Sequence, residues 1–531
     1  MSTQFRPLEI PPGVVAKATK QQRSTNWAEV HLMRWIEGQM APVGGQAQFN
    51  YTFASRCKKI HGWFDLNQTY HVAYLCEGHL YVDTNGALID ISPIPPLISP
   101  TPVGEGGYND ATYNYGAYGT PRPISSIAAQ DKVPSVYSLG NFGSILYAMT
   151  SADGRLLMWD PHVGGAAVVQ PAASGRGPVP LGRGFVVTNE RYIMIYGTES
   201  DGTPEGGKQS RFAWCDQENP GAWDYSNITS QAGFLDIEPA SPIICASATR
   251  NGIILFTAKK AYNSQYLGMP YIYNYVEIGE NCTPWSPQSI SNTSSLTVWV
   301  SKQGAFSYDG TSILPMNCLV RPWVDDDIDL LQVREQACLV HVGDFNEVWW
   351  FFPQDGQTKN TRCIIYSYKE GWWSMGRMAR TAGITSSYTA HTIMADDLIA
   401  YQHEVPSAYP ANVDLPWAET YDLNLNSGAT LTTVKQLIPD IDGAVANVLY
   451  SLFYRMSRSV GVDANGNVIV APELQTPPRQ VRPNGYVDFR VTGRDIRMRI
   501  EIGAPPGQPR PDVRPVTVGQ HLIDSVPRGD R

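Results

Sequence analysis

The side chains of this 531-residue chain that could do chemistry are nine histidines, eight cysteines and 49 carboxylates, and their spacing decides what they could do. His61, His71 and His79 fall on separate predicted strands or loops and share no metal-ligand spacing. The cysteines (Cys57, Cys76, Cys215, Cys245, Cys282, Cys318, Cys338 and Cys363) stand far apart and form no Cys-x-x-Cys pair. Several sit inside apolar runs such as Ile243-Ile-Cys-Ala246, so they read as buried free thiols rather than a disulfide framework. Nucleophile elbows, P-loops, zincin helices and dinucleotide fingerprints are absent. Glycoside hydrolysis needs only two carboxylates at the right separation, and 49 acidic residues leave such a pair open. The run Asp325-Asp-Asp327 invites a calcium site, but it lacks the Gly and terminal Glu of an EF-hand loop. It reads instead as the acidic first turn of a helix whose apolar stripe is Ile328 and Leu331. Arg494, Arg497 and Arg499 alternate with apolar residues; the stretch is a DNA or subunit contact, or the solvated face of a strand. No catalytic, cofactor or metal residue is expected.

The elements that would have to position any site are short strands. Charged residues make up 17% of the chain, where about a quarter is usual, and 47 Gly, 40 Pro and 28 Tyr replace them. These are turn and strand formers. A chain this long exceeds the ~250–300 residues at which single cores stop growing, so several units or a repeat are expected. The segments Asn346-Glu-Val-Trp-Trp-Phe-Phe-Pro353 and Arg362-Cys-Ile-Ile-Tyr-Ser-Tyr368, the latter leading to Trp372-Trp373, read as aromatic strands. A double tryptophan puts one ring on each face of a strand, so both faces must be covered. Hairpin centres recur at Asn85-Gly86, Asp153-Gly154, Asp201-Gly202, Lys259-Lys260, Gln303-Gly304 and Asp355-Gly356, with steps of 68, 48, 58, 44 and 52 residues. Short-strand repeats of about 40–50 residues point to a β-propeller. A set of β-sandwiches would show shorter, more even spacing.

The expected architecture is mainly β: an irregular propeller of six or seven blades over residues 51–415, preceded by an extended N-terminal arm at 1–50. A small antiparallel β-domain follows at 416–531. The arm carries a basic patch around Lys17 to Arg23. It has no apolar core of a signal peptide, and no run of ~18 apolar residues suggests a membrane span. With free cysteines, assembly in a reducing cytoplasm fits best. A net charge of −9 disfavours tight nucleic-acid binding. Trp159-Asp160 and Trp223-Asp224 do not make a WD repeat, because the matching Gly-His occurs once, at Gly78-His79. The stretch Ser151-Ala-Asp-Gly154 departs from a sialidase Asp-box, since its Gly follows the Asp directly.

Three groups of residues carry a resemblance. They are Pro12-Gly13 with Met33-Arg-Trp-Ile-Glu-Gly38 and Gly44-Gly45; Asn346 to Pro353 with Tyr366-Ser-Tyr-Lys-Glu-Gly-Trp-Trp-Ser-Met-Gly376 and Ala379-Arg-Thr381; and Gly493-Arg-Asp-Ile-Arg-Met-Arg-Ile-Glu501 leading to Val526-Pro-Arg-Gly529. In these the chain resembles the tail nozzle or hub proteins of short-tailed bacteriophages, the packaged-DNA-stabilisation or tail tubular protein B type. The resemblance implies a propeller-bearing structural subunit of the virion tail with no catalytic residues. Six copies would form a ring below the head-to-tail adaptor, make the DNA exit channel, retain the packaged genome and attach fibres, spikes or a needle-like plug. Six copies at −9 carry −54, a like-charge lining past which DNA slides without sequence-specific binding. The competing expectation is a propeller-fold tail protein that binds or hydrolyses carbohydrate.

Overall fold

Turn residues at Asp153-Gly154, Asp201-Gly202, Gln303-Gly304 and Asp355-Gly356 break the middle of the chain into four-stranded antiparallel meanders. The computed structural model describes residues 5–16, 26–99, 133–203, 206–385, 388–423, 425, 430–457, 459–462, 468–503 and 516–528. The basic patch at Lys17 to Arg23 and the last three residues lie outside these. Among the described residues there are seven blades, and the protein is a β-propeller joined to a second β-unit.

Blade 1 begins with the strand Cys57–Phe64 at the axis, blade 2 with Tyr137–Phe142, blade 3 with Gly184–Val187 and blade 4 with Ile243–Thr249. Blade 5 begins with Ile290–Asn292, blade 6 with Cys338–Val342 and blade 7 with Ala382–Ile384. The innermost strands of successive blades pack side by side, least closely between blades 4 and 5, and that of blade 7 packs on that of blade 1, which closes the ring. Five of the six hairpin centres mark one recurrent feature, the turn between second and third strands in blades 2 to 6. Their steps of 44 to 58 residues are therefore the blade repeat. Asn85-Gly86 is instead the turn between the third and fourth strands of blade 1, which is why the first step is long.

Blade 6 shows why the double tryptophan matters. Trp349 and Trp350 on the strand Glu347–Pro353 are 0% and 1% exposed and enter different cores. Trp349 packs with Leu32, Val340, Ile365 and Met394, toward blade 7. Trp350 packs with Val300 and Phe352 in a core that continues into the second β-unit through Trp373, Val434 and Ile500.

The extended N-terminal arm is built into both units as strands. Gly45–Thr52 pairs antiparallel with Ile399–Val405 and is the outermost strand of blade 7, so the start of the propeller is stitched to its end. Phe5–Leu8 pairs with His521–Pro527, in the register Phe5 to Asp524. Trp27–His31 pairs with Trp417–Thr420, and Gln39–Pro42 meets Val516–Val518. Among the described residues the C-terminal β-unit thus has four sheets, and all but the hairpin of Ser459–Val462 with Val468–Val470 hold an N-terminal strand.

One sequence expectation is corrected. The acidic run does not begin a helix: the helix is Arg321–Asp327, with Pro322 in its first turn, and it ends where Ile328 turns extended. The acids serve other ends. Asp325 pairs with Arg321 one turn back (2.6 Å), Asp327 with Arg362 (2.7 Å), and the Asp329 carboxylate accepts the Leu331 and Gln332 N–H groups (both 2.9 Å). Proline preorganises a helix start better than acids do, because its missing N–H would be unpaired there anyway.

Candidate functional site

The residues that sequence reading set aside as possible ligands do not meet. His61 Nε2 lies 2.9 Å from Asn141 Oδ1; His71 lies between Thr84 Oγ1 (2.7 Å) and Asp65 Oδ2 (3.4 Å); His79 is a rim residue 3.9 Å from Asp90. Among the described residues no three His, Cys, Asp or Glu side chains are grouped to hold a metal ion. All eight cysteines are free, and all but Cys318 are fully buried. Cys57 and Cys76, nineteen positions apart in sequence, face each other on neighbouring strands, which their spacing did not announce.

What does converge is a clasp between the N-terminal strands, blade 6 and blade 7. Arg34, 2% exposed, projects from the strand Met33–Ile36. Its Nε lies 3.0 Å from Glu347 of blade 6 and its Nη2 2.5 Å from Glu404 of blade 7, with the Phe345 ring 3.8 Å from the guanidinium. Burial pushes the Glu347 carboxyl above its ordinary range, while Arg34 and the Trp349 indole N–H (2.9 Å) pull it back. The other Glu404 oxygen accepts the Gly44 N–H at 2.8 Å. A Cβ on Gly44 would stand 2.6 Å from the Glu404 Cα, so only glycine lets the two backbones come this close. Beside this pair, Arg380 donates to Gln46 Oε1 and to His403 Nε2 (2.9 Å). Burial holds the His403 imidazole neutral, far below its usual range, so it can accept that bond.

The same clasp holds Pro12-Gly13, where the Val14 N–H donates to the Trp373 carbonyl (3.0 Å) and Gly13 lies against the Trp372 ring. Ser374 Oγ donates to the Met33 carbonyl. Sequence reading flagged these stretches as motifs, but not that they touch. The signal available was slight: Arg34 stands between Met33 and Trp35, and Glu347 opens the apolar run from Val348 to Pro353.

The basic strand lies elsewhere. Arg497 and Arg499 project from Asp495–Ile502 and are consumed by carboxylates: Arg497 by Glu419 and Glu473, Arg499 by Glu501 (2.7 Å). Arg499 borders a groove of ≈560 Å³ that also holds Glu29, Arg377 and Trp417. The Trp417 ring, 9% exposed, is covered by the Arg499 guanidinium at 4.1 Å. Here His31 donates from Nε2 to the Asp414 carbonyl (3.1 Å) and accepts the Arg377 N–H at Nδ1 (3.0 Å). Burial lowers its pKa to about 4.

One mouth of the propeller's axial channel is spanned by the segments that lead into the innermost strands of blades 5 and 6. Glu335 accepts the Ser135 N–H (3.0 Å), Gln336 Oε1 takes Lys58 (2.8 Å) and Arg56 (2.7 Å), and Gln288 reaches across to the Tyr137 carbonyl (3.1 Å). No described helix is long and apolar enough to cross a membrane.

No protein-family model matches the chain, and no curated protein matches it in sequence. Solved structures it is similar to include the WD40 domain of Pan2 from Neurospora crassa, 7% identical over 67% of this chain and 95% of that one, with a TM-score of 0.36. A streptogramin B lyase is 8% identical over 67% and 97%, with a TM-score of 0.33. The WD40 domain of SCAP from fission yeast is 6% identical over 95% and 96%, with a TM-score of 0.29. The likeness is so distant that the fold rests on the strand pairing itself.

Proposed function

We propose that this chain is a structural subunit of a short-tailed phage virion, six copies of which form the tail nozzle or hub ring below the head-to-tail adaptor. The ring would be assembled in the host cytoplasm, retain the packaged genome, make its exit channel and carry fibres, spikes or a needle. The observation that carries the reading is the clasp. The first two motif groups of the resemblance, separate in sequence, meet at Arg34, Glu347 and Arg380, and they lock two β-units together. Buried ion pairs of this kind fix a geometry more than they add stability, which suits a part that transmits load rather than one that turns over substrate. With Gln288 and the 329–337 segment spanning one mouth, the conduit would run between copies and not through the propeller.

The carbohydrate reading would most naturally use the groove around Trp417 and Glu419, since sugars stack on exposed aromatic faces. Arg499 already covers that ring and pairs with its carboxylates, which weighs against it. Electron microscopy and mass measurement of the purified protein with a portal–adaptor complex test the proposal. Six-fold rings are expected; a strict monomer that never joins the complex overturns it.

A further inference from the structure

Cys57 and Cys76 stand directly opposite each other on the first two strands of blade 1, Cys57–Phe64 and Tyr70–Cys76. The Glu77 N–H donates to the Arg56 carbonyl (3.0 Å), one residue outside the pair on each strand, so the two cysteines are a non-hydrogen-bonded pair. In such a pair the Cα atoms approach to about 4.5 Å and the side chains come close on one face. Both thiols are 0% exposed, and each acts directly on the other. No other cysteine faces a cysteine across paired strands among the described residues. The pair also has a particular place in the fold. Its core holds Ala382, Ile393, Ala395 and Ala400 of blade 7, and the Cys57 N–H donates to the Asp397 carbonyl of that blade (2.8 Å). It therefore lies at the seam where the propeller ring closes. The register shifts between Cys57 and Lys59, so the pair ends its ladder beside a bulge, where strands open most readily.

We propose that Cys57 and Cys76 are a modification site: they close into a reversible cross-strand disulfide when the protein meets a peroxide, and so tie the closing seam of the ring. The step balances in atoms and electrons. One thiol sulfur attacks a peroxide oxygen, becomes a sulfenic acid and releases its proton in a water molecule. The second sulfur then displaces the hydroxyl from the first, forming the S–S bond and a second water. Two thiols and one hydrogen peroxide thus become one disulfide and two waters. Hydrogen peroxide is small enough to enter a core that opens briefly, and the second step needs no diffusion. Burial pushes the Cys76 thiol up, so the link forms slowly at neutral pH and faster as pH rises. A Cα separation of about 4.5 Å is at the short end of the ~4.4–6.8 Å that disulfides span, so the bond is strained and a mild reductant reopens it. The inference does not depend on the role proposed above.

The test is hydrogen peroxide treatment of the folded full-length protein, followed by denaturation, alkylation and peptide mapping. Titratable thiols should fall from eight to six with one Cys57–Cys76 linked peptide, and dithiothreitol added before denaturation should restore all eight. Cys215, Cys245, Cys338 and Cys363, equally buried but unpaired, should stay reduced. The oxidised protein should unfold at a higher denaturant concentration, because the link restrains the unfolded chain. Cys76→Ala should give no linked peptide and no such rise. Eight intact thiols at a peroxide dose that oxidises the exposed Met269 would overturn the proposal. So would a link between any other pair, or conversion of Cys57 or Cys76 to the sulfinic acid without a link.

Discussion

The propeller and the C-terminal unit are both antiparallel β-structures, but their strands are paired over different distances along the chain. Within blades 1 to 6 each strand pairs with its sequence neighbour, as in the meander from Cys338–Val342 to Trp373–Gly376. The C-terminal unit instead pairs Phe5 with Asp524 and His31 with Trp417. Blade 7 belongs to both kinds, since its last strand comes from residues 45–52. Local hairpins close short loops at low entropic cost, whereas the C-terminal unit pairs residues hundreds of positions apart and must close long loops to do so. One region can form piece by piece; the other depends on the whole.

The largest break in that contrast is expected from removing residues 1–42. Three of the four C-terminal sheets would lose at least one strand, while the closing strand Gly45–Thr52 would remain. Limited proteolysis should then digest residues beyond about 416 and spare a propeller-sized fragment; a C-terminal unit that stays resistant would erase the distinction. Next come the rings of blade 6. Trp350→Ala should cost about 3–5 kcal/mol and loosen the C-terminal unit first, because its ring lies in the shared core. Trp349→Ala should cost as much yet act on the blade 6 to blade 7 seam. Hydrogen exchange would separate the two patterns.

Glu347→Ala leaves the buried Arg34 with one partner in place of two and removes the Trp349 acceptor. A loss of about 3 kcal/mol in denaturant unfolding is expected. Acid should act more gently. His31 takes a proton below about 6.5 when unfolded but only near 4 when folded. The unfolded state therefore binds more protons between these values, so stability is complete above pH 6.5 and falls as pH drops toward 4, by up to about 3 kcal/mol. His521, held at about 4 by burial, adds in the same direction. In His31→Asn the slope of unfolding free energy against pH should flatten over that window. Smallest of all, Arg499→Ala at the partly exposed ladder should change stability by less than about 1 kcal/mol.

How far the fold could be read follows from the same contrast. The turn spacing betrayed the blades because tight turns favour residues that tolerate positive φ: Gly86, Gly154, Gly202, Gly304 and Gly356 all adopt it, and of the six centres only Lys259-Lys260 turns without it. The faces of the double tryptophan were legible because side chains alternate along a strand. The helix at Arg321–Asp327 was misplaced because acids were read as a start signal when they are ion-pair partners of Arg321 and Arg362. The clasp was visible only as motifs without contacts: nothing local in Met33-Arg-Trp-Ile-Glu-Gly38 names Glu347 or Glu404 as partners.

The chain by itself therefore determined that it folds as repeated aromatic hairpins, with an acidic balance and buried thiols, since turn chemistry, alternation and burial act over a few residues. Tertiary structure alone decided that the N-terminal strands complete both units and that Arg34 meets two carboxylates. Those depend on contacts between residues up to about 500 positions apart, whose gain appears only once the ring has closed and excluded water around them.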